Sequence, residues 1–226
     1  MYLIGIVGRA TYNDDYQEII QTTDAIRRML MRIKDVVCVT LLPTETKTFV
    51  DIVPGEDVVD SKLDFVLNKC DAFVVPGGTE FYSFDEYVIE YAIKHDKPLL
   101  AICLGFQALC CMYAKDRNKH EMVRCLDDES HCGKPDSYQH EVFIKDDTLL
   151  KNIIKKNKID VNSTHHYVVD FPLDKLKVNA TIDNIVEGVE YPDKKFIMGI
   201  QWHPEYLMDE YSLKILEYFI SSIDRS

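Results

Sequence analysis

The amino-acid sequence predicts an α/β protein: a mostly parallel central sheet with helices on both faces, and an antiparallel or mixed addition in the C-terminal half. Three observations predict it. Short apolar runs without polar alternation, such as residues 2–7 and 72–75, suit strands buried on both faces. These runs alternate with segments whose apolar residues recur at helical spacing, the pattern of parallel strands joined by right-handed crossovers. Beyond residue 140 the pattern changes to short strands at close spacing.

In order, residues 2–7 form the first strand, and residues 15–33 a helix with Ile19, Ile20, Ile26, Met29, Leu30 and Ile33 at helical spacing. Residues 36–42 read as a second strand closed by Pro43. Residues 43–55, with two prolines and several threonines, read as a surface connection. A helix over about residues 60–68 feeds a strand at 72–75, which ends in Pro76-Gly77-Gly78. A helix near 84–94 precedes the strand 98–103, and the next helix begins at Leu104. Residues 141–144, 176–181, 185–191 and 196–202 are the short strands of the second half. An amphipathic helix over about 209–220 follows them, its many acidic residues forming a solvated face. No linker, repeat or low-complexity tract interrupts residues 1–226, so a single domain is expected.

Composition narrows the function. Of 226 residues, 46% are hydrophobic and 11% aromatic, enough for a sizeable core and too apolar for disorder. The 26 Lys and Arg against 38 Asp and Glu leave a net charge of −12, which disfavours sequence-independent binding to nucleic acid. No apolar run nears the roughly 20 residues of a membrane span. The first run is too short for a secretion leader and lacks a basic segment before it. Seven cysteines, odd in number and sparse, suit free thiols in a reducing cytoplasm.

The most informative residue is Cys103. It ends an apolar strand and is followed at once by a helix opening with Leu104 and Gly105. A side chain at such a corner projects above the carboxyl end of the sheet, where open α/β sheets place ligands. The geometry matches the nucleophile elbow of hydrolases. Gly105 suits the close packing of a turning backbone. The helix N-terminus favours a nucleophilic thiolate, and the N–H of Leu104 is placed to meet an oxyanion. The alternative is an inert buried cysteine at a strand end. His203-Pro204-Glu205 shifts the balance towards chemistry. These residues follow another strand, so an imidazole stands at its end with a carboxylate two residues on. A His near a thiol takes its proton, a carboxylate on the other ring nitrogen sets the tautomer, and Pro204 stiffens the backbone between them.

Pro76-Gly77-Gly78, residues 102–107 (Ile-Cys-Leu-Gly-Phe-Gln) and residues 201–205 (Gln-Trp-His-Pro-Glu) together resemble the class I glutamine amidotransferase superfamily. Residues 4–9, His140-Glu141-Val142 and residues 161–166 (Val-Asn-Ser-Thr-His-His) resemble its peptidase C26 branch, the γ-glutamyl-γ-aminobutyrate hydrolase group. Residues 183–187 are similar to that branch's Asp-Gly-x-x-Glu stretch. The resemblance implies a flavodoxin-like three-layer core and a Cys-His-Glu triad at Cys103, His203 and Glu205. It also implies an oxyanion hole from the backbone N–H groups of Gly78 and Leu104. Four positions depart from the branch. Leu104 stands where Arg is usual, as in ammonia-donating glutaminase domains; Tyr167 stands where Gln is usual; the loop between Gly78 and Asp85 is short; and Ala101 replaces a frequent Gly.

Gln107, Ser163, His165 and His166 are the expected substrate contacts, although Gln107 could instead cap local structure. Adjacent histidines point to opposite sides of an extended chain, so at most one of His165 and His166 faces the pocket. The alternative has one solvated and the other bonded to a loop carbonyl. His120, Cys125, His131 and Cys132 match no zinc-finger spacing, and no metal is expected. Cys110 and Cys111 read as core residues. Arg9 is placed to meet a carboxylate at the sheet's carboxyl end, or to lie exposed. The resemblance implies a cytoplasmic hydrolase of a γ-glutamyl amide, releasing glutamate through a γ-glutamyl thioester without a cofactor. Two other readings stay open: a glutaminase subunit passing ammonia to a synthetase partner, and a non-catalytic binding protein on the same scaffold. The amine half of the substrate is open too, and a homodimer is the commonest state for a soluble enzyme.

Overall fold

A computed structural model describes residues 1–44, 61–80, 82–115, 123–125 and 131–224. Most of the expected connection 43–55, the first residue of the expected helix 60–68 and His120 lie outside the described residues. The first half comprises β1 (Tyr2–Val7), β2 (Arg9–Tyr12), β3 (Glu18–Gln21), α1 (Asp24–Leu30), β4 (Val36–Leu41), α2 (Ser61–Lys69), β5 (Ala72–Val75), α3 (Ser83–His95), β6 (Leu99–Ile102) and α4 (Leu104–Met112). The second half comprises β7 (Val123–Cys125), β8 (His140–Ile144), α5 (Leu149–Ile154), β9 (Lys158–Val161), β10 (Tyr167–Val169), β11 (Lys177–Ile182), β12 (Ile185–Glu190), β13 (Ile197–Ile200), α6 (Pro204–Leu207) and α7 (Glu210–Ser221).

The main sheet runs β4-β1-β5-β6-β13-β12-β11-β8-β9, with β10 pairing β12 and β7. Pairing is parallel from β4 through β13. It turns antiparallel from β13 through β9. The expected division into a parallel core and an antiparallel addition therefore falls within one continuous sheet. β13 joins the two regimes, being parallel to β6 and antiparallel to β12.

Period-two alternation sorts the buried strand residues between two cores. Ile4, Ile6, Val74, Leu100, Ile102, Met198 and Ile200 pack on one face with α1, α5 and α7. Phe73, Val75, Leu99, Ala101 and Ile197 pack on the other with α2, α3 and α4. Each fully buried aliphatic or aromatic side chain contributes about 1.5–3 kcal/mol. The strands lack polar alternation because both of their faces are covered.

Helices α5 and α6 and strands β7, β9 and β10 add to the expected elements, and one expected element is replaced. Residues 15–33 are not one helix: β2 and β3 form a separate antiparallel hairpin, and the helix starts only at Asp24. The cause lies in the turn. Asn13 Oδ1 accepts the N–H groups of Asp15 and Gln17, and Tyr16 takes a positive φ of 58°. Short polar side chains that satisfy the backbone in this way compete with helix. β-branched Ile19 and Ile20 then suit a strand, and both are exposed rather than buried. In the second half, α7 is capped by Asp209 and α5 by Thr148, whose side-chain oxygens accept the N–H groups of Ser212 and Lys151.

Candidate active site

β6 and β13 are parallel neighbours, with Ile102 paired to Ile200 and Ala101 to Gly199. Whatever follows each strand therefore emerges at the same edge. After β6 the chain turns sharply at Cys103, which has φ 51° and ψ −106° and caps α4. A positive φ is unfavourable for a side chain with a Cβ, by about 1–3 kcal/mol, and the corner is held by its surroundings. The Cys103 N–H donates to the Ile200 carbonyl at 2.8 Å, and its own carbonyl accepts from the Gln107 N–H at 3.0 Å. Helix α4 lies so close to β5 that a Cβ on Gly105 would stand 2.2 Å from the Val75 carbonyl oxygen. Only glycine fits there.

After β13 the chain passes Gln201 and Trp202 and reaches His203, the cap of α6. His203 Nδ1 lies 2.8 Å from Glu205 Oε1. The Gly77 backbone fits against both His203 and Cys103: a Cβ there would lie 2.9 Å from His203 Cε1 and 3.5 Å from Cys103 Cβ. The structure thus brings the thiol, the imidazole and the carboxylate to one edge, and all three residues are buried. Burial pushes the His203 imidazolium down, but the Glu205 carboxylate and hydrogen bonding to Cys103 and Glu205 outweigh it and raise its pKa to about 10. His203 therefore carries its proton at neutral pH. The Tyr206 ring packs edge-on against it, with centroids 5.8 Å apart.

Gly78 and Leu104 are also adjacent, since a Cβ on Gly78 would meet Leu104 Cδ2 at 3.1 Å. Gly78 is exposed while Leu104 is buried, so their backbones border the surface side of the corner. The glycine loop that holds Gly78 is tied from beneath by Arg9. The buried guanidinium donates through Nε to the Gly77 carbonyl at 3.2 Å, through Nη2 to the Pro76 carbonyl, and through Nη1 to Asp85 Oδ1 at 2.6 Å. Of the two placements open for Arg9, the buried one holds. Its partner Asp85, fully buried, also accepts the Tyr82 N–H through Oδ2 at the start of α3. An acidic residue in a helix's first turn was the available signal for Asp85.

The remaining candidates support this edge from behind. Gln107 is buried, and its amide donates to Gln201 Oε1 at 3.1 Å and to the Tyr167 carbonyl at 3.3 Å. Ser163 is buried and donates to the His131 carbonyl at 2.6 Å. His165 is buried; its Nδ1 lies 2.9 Å from the Tyr167 carbonyl. His166 is exposed, with Nδ1 3.1 Å from Cys132 Sγ. This is the pattern of one solvated and one carbonyl-bonded histidine. Asn162 had no assigned role in the sequence reading, yet it grips His203 from both sides. Its Oδ1 accepts the His203 N–H at 2.9 Å, and its Nδ2 donates to the His203 carbonyl at 2.8 Å and to the Pro135 carbonyl. Only the fold brings these distant segments together. The metal set weighed from sequence does not assemble as such among the described residues: Cys132 bonds His166, and His131 faces His165, with Nδ1 3.3 Å from Nε2. Cys110 and Cys111 are fully buried, and burial pushes the Cys110 thiol up.

The sequence model of the family peptidase C26 matches residues 82–205, more than half of the chain. A protein of Schizosaccharomyces pombe that carries the name of a glutamine amidotransferase is 34% identical over 138 residues, 59% of this chain and 54% of its own length. CTP synthase of Thermosipho africanus is 28% identical over 237 residues, 90% of this chain but 42% of the synthase. The chain thus spans about half the length of the curated relatives it matches. Among solved structures, the glutaminase domain of Trypanosoma brucei CTPS with bound acivicin superposes with a TM-score of 0.69 at 19% identity, covering 100% of this chain and 96% of that one. That likeness shows a common fold.

Proposed function

Since the chain belongs to the peptidase C26 family, we propose that it is a cysteine-dependent hydrolase of a γ-glutamyl amide, with Cys103, His203 and Glu205 as its catalytic triad. The reading rests above all on the strained Cys103 corner facing a His203 that is itself paired with Glu205. The reaction starts from the thiolate, the nucleophilic form of a cysteine. That thiolate attacks the γ-carbonyl, and the N–H groups of Gly78 and Leu104 receive the resulting oxyanion. His203 gives its proton to the departing amine, the C–N bond breaks, and a γ-glutamyl thioester is left on Cys103. Water then attacks the thioester, losing a proton to His203, and glutamate leaves with the thiolate restored. Glu205 holds the ring of His203 in orientation throughout. The thiols of Cys38, Cys70 and Cys110 are free, as suits a reducing setting.

A second reading has a specific observation behind it. Leu104 follows the nucleophile, and relatives include CTP synthase, so the chain could serve as a glutaminase handing ammonia to a synthetase partner. The purified chain, assayed for free glutamate against glutamine and a panel of γ-glutamyl amines, separates the two. The hydrolase reading expects turnover of a γ-glutamyl amine without any partner. Glutamine cleavage that rises only with a co-purified synthetase gives the second reading. In either case Cys103→Ala lowers turnover by about 10³-fold or more. Undiminished turnover in that variant overturns the triad, whereas a wild-type chain without turnover and with a Cys103 no more reactive to iodoacetamide than an ordinary thiol leaves a binding protein on this scaffold.

A further inference from the structure

Glu187, on β12, is fully buried, and among the described residues neither carboxylate oxygen has a hydrogen-bond partner. Three imidazoles from separate segments surround it. His165 Nε2 lies 3.4 Å from Oε1, His131 Nδ1 lies 3.8 Å from Oε1, and His140 Nε2 lies 3.8 Å from Oε2. Both ring nitrogens of His140 are likewise buried without partners among the described residues. A lone buried carboxylate costs several kcal/mol, and proteins normally close such a cost with hydrogen bonds of about 2.7–3.2 Å. The gaps here are wider than that. They suit an ion placed between the groups. Nitrogen and oxygen ligands about 2.0–2.1 Å from a tetrahedral metal stand roughly 3.3–3.4 Å from one another. The three atoms His131 Nδ1, His165 Nε2 and Glu187 Oε1 form a triangle with edges of 3.3, 3.4 and 3.8 Å.

Proton placement is compatible with an ion in this pocket. The Tyr167 carbonyl can only accept, so the proton of a neutral His165 sits on Nδ1. Its Nε2 then presents a lone pair beside Glu187 Oε1, where either the N–H of His131, 3.3 Å away, or a bound cation meets it. Metal-bound histidines commonly show this arrangement, with the free ring N–H donated to a backbone carbonyl.

We propose that His131, His165 and Glu187, with a ring nitrogen of His140 within 4.8 Å of the ligand atoms of His131 and Glu187, form a binding site for one divalent transition metal ion, of which zinc best fits imidazole and carboxylate ligands. The site joins the segment before β8, the first residue of β8, the loop after β9, and β12. Its neighbours in that loop are Asn162, which grips His203, and Ser163, which bonds the His131 carbonyl. A bound ion would hold the wall on which His203 is mounted. It takes no part in the reaction proposed above, and the two proposals stand or fall separately. The spacing of these four residues matches no short metal motif; of the four, His131 belonged to the metal set weighed from sequence and His165 to the expected substrate contacts.

The test uses the full chain, stripped with a chelator and titrated with Co²⁺. The proposal expects the visible bands of tetrahedral cobalt to saturate at a single equivalent, without the thiolate charge-transfer absorption that a cysteine site would add. Zn²⁺ displaces the cobalt and raises the thermal midpoint of the chain. Glu187→Gln and His140→Gln weaken Co²⁺ affinity by about 10-fold or more. Folded wild-type chain that shows no such bands, or bands with thiolate absorption, overturns the site. So does binding unchanged in whichever of the two variants folds.

Discussion

His203 carries the sharpest residue-scale prediction. Its imidazolium is stabilised in the folded chain, with a pKa near 10 against an ordinary 6.5. Between those values the folded state holds a proton that the unfolded state has lost, so stability falls as pH rises. The contribution is complete below about pH 6.5 and gone once pH passes the folded value near 10. Urea midpoints measured from pH 6 to 10 are expected to fall more steeply for the wild-type chain than for His203→Gln. Parallel curves for the two proteins would show that the imidazolium is not held in this way. Asn162 works at the same scale. It donates to one side of the His203 backbone and accepts from the other, so the ring's position follows from a side chain in a different loop.

At the scale of elements, the corner between β6 and α4 depends on how closely α4 approaches β5. Gly105→Ala would set a Cβ 2.2 Å from the Val75 carbonyl, and the helix must move to accept it. A loss of about 1–3 kcal/mol is expected in denaturant unfolding, together with a fall in turnover, because Cys103 is carried on the same turn. The glycine loop has its own support in Arg9. Arg9→Met takes the guanidinium away from Asp85 Oδ1 and leaves that carboxylate buried, at an expected cost of about 3–5 kcal/mol. Asp85→Asn in the Arg9→Met background should recover part of that loss, which distinguishes a stranded charge from lost packing. The hairpin β2–β3 teaches the opposite lesson. Ile19 and Ile20 satisfy a helical spacing with residues further on, yet the Asn13 turn decides their conformation before any helix can start.

For the whole molecule, one sheet carries a core on each face, and strands such as β1, β5, β6 and β13 contribute to both. Such sharing predicts that residues 1–226 unfold together as a single domain. Trp202 is the sole tryptophan and lies in the same core as Ile4, Met29, Leu150 and Phe219. Its fluorescence and the far-ultraviolet circular dichroism should give coincident urea transitions. Separated midpoints would divide the chain into two units.

Much of this was legible in the order of residues, for local reasons. A strand buried on both faces must be apolar throughout, so β1, β5 and β6 stand out. A corner such as Ile102-Cys103-Leu104-Gly105 and a pair such as His203 and Glu205 lie within a few residues of each other, where backbone geometry alone fixes their relation. Distance along the chain set the limit. That β13 lies beside β6, so that Cys103 and His203 emerge at one edge, is decided by which strands share the sheet, and no local pattern encodes that choice. The same holds for Arg9 under the glycine loop and for the three imidazoles around Glu187. Sequence determined the chemistry each segment could offer; tertiary packing decided which groups meet, because burial of both sheet faces selects the order of the strands.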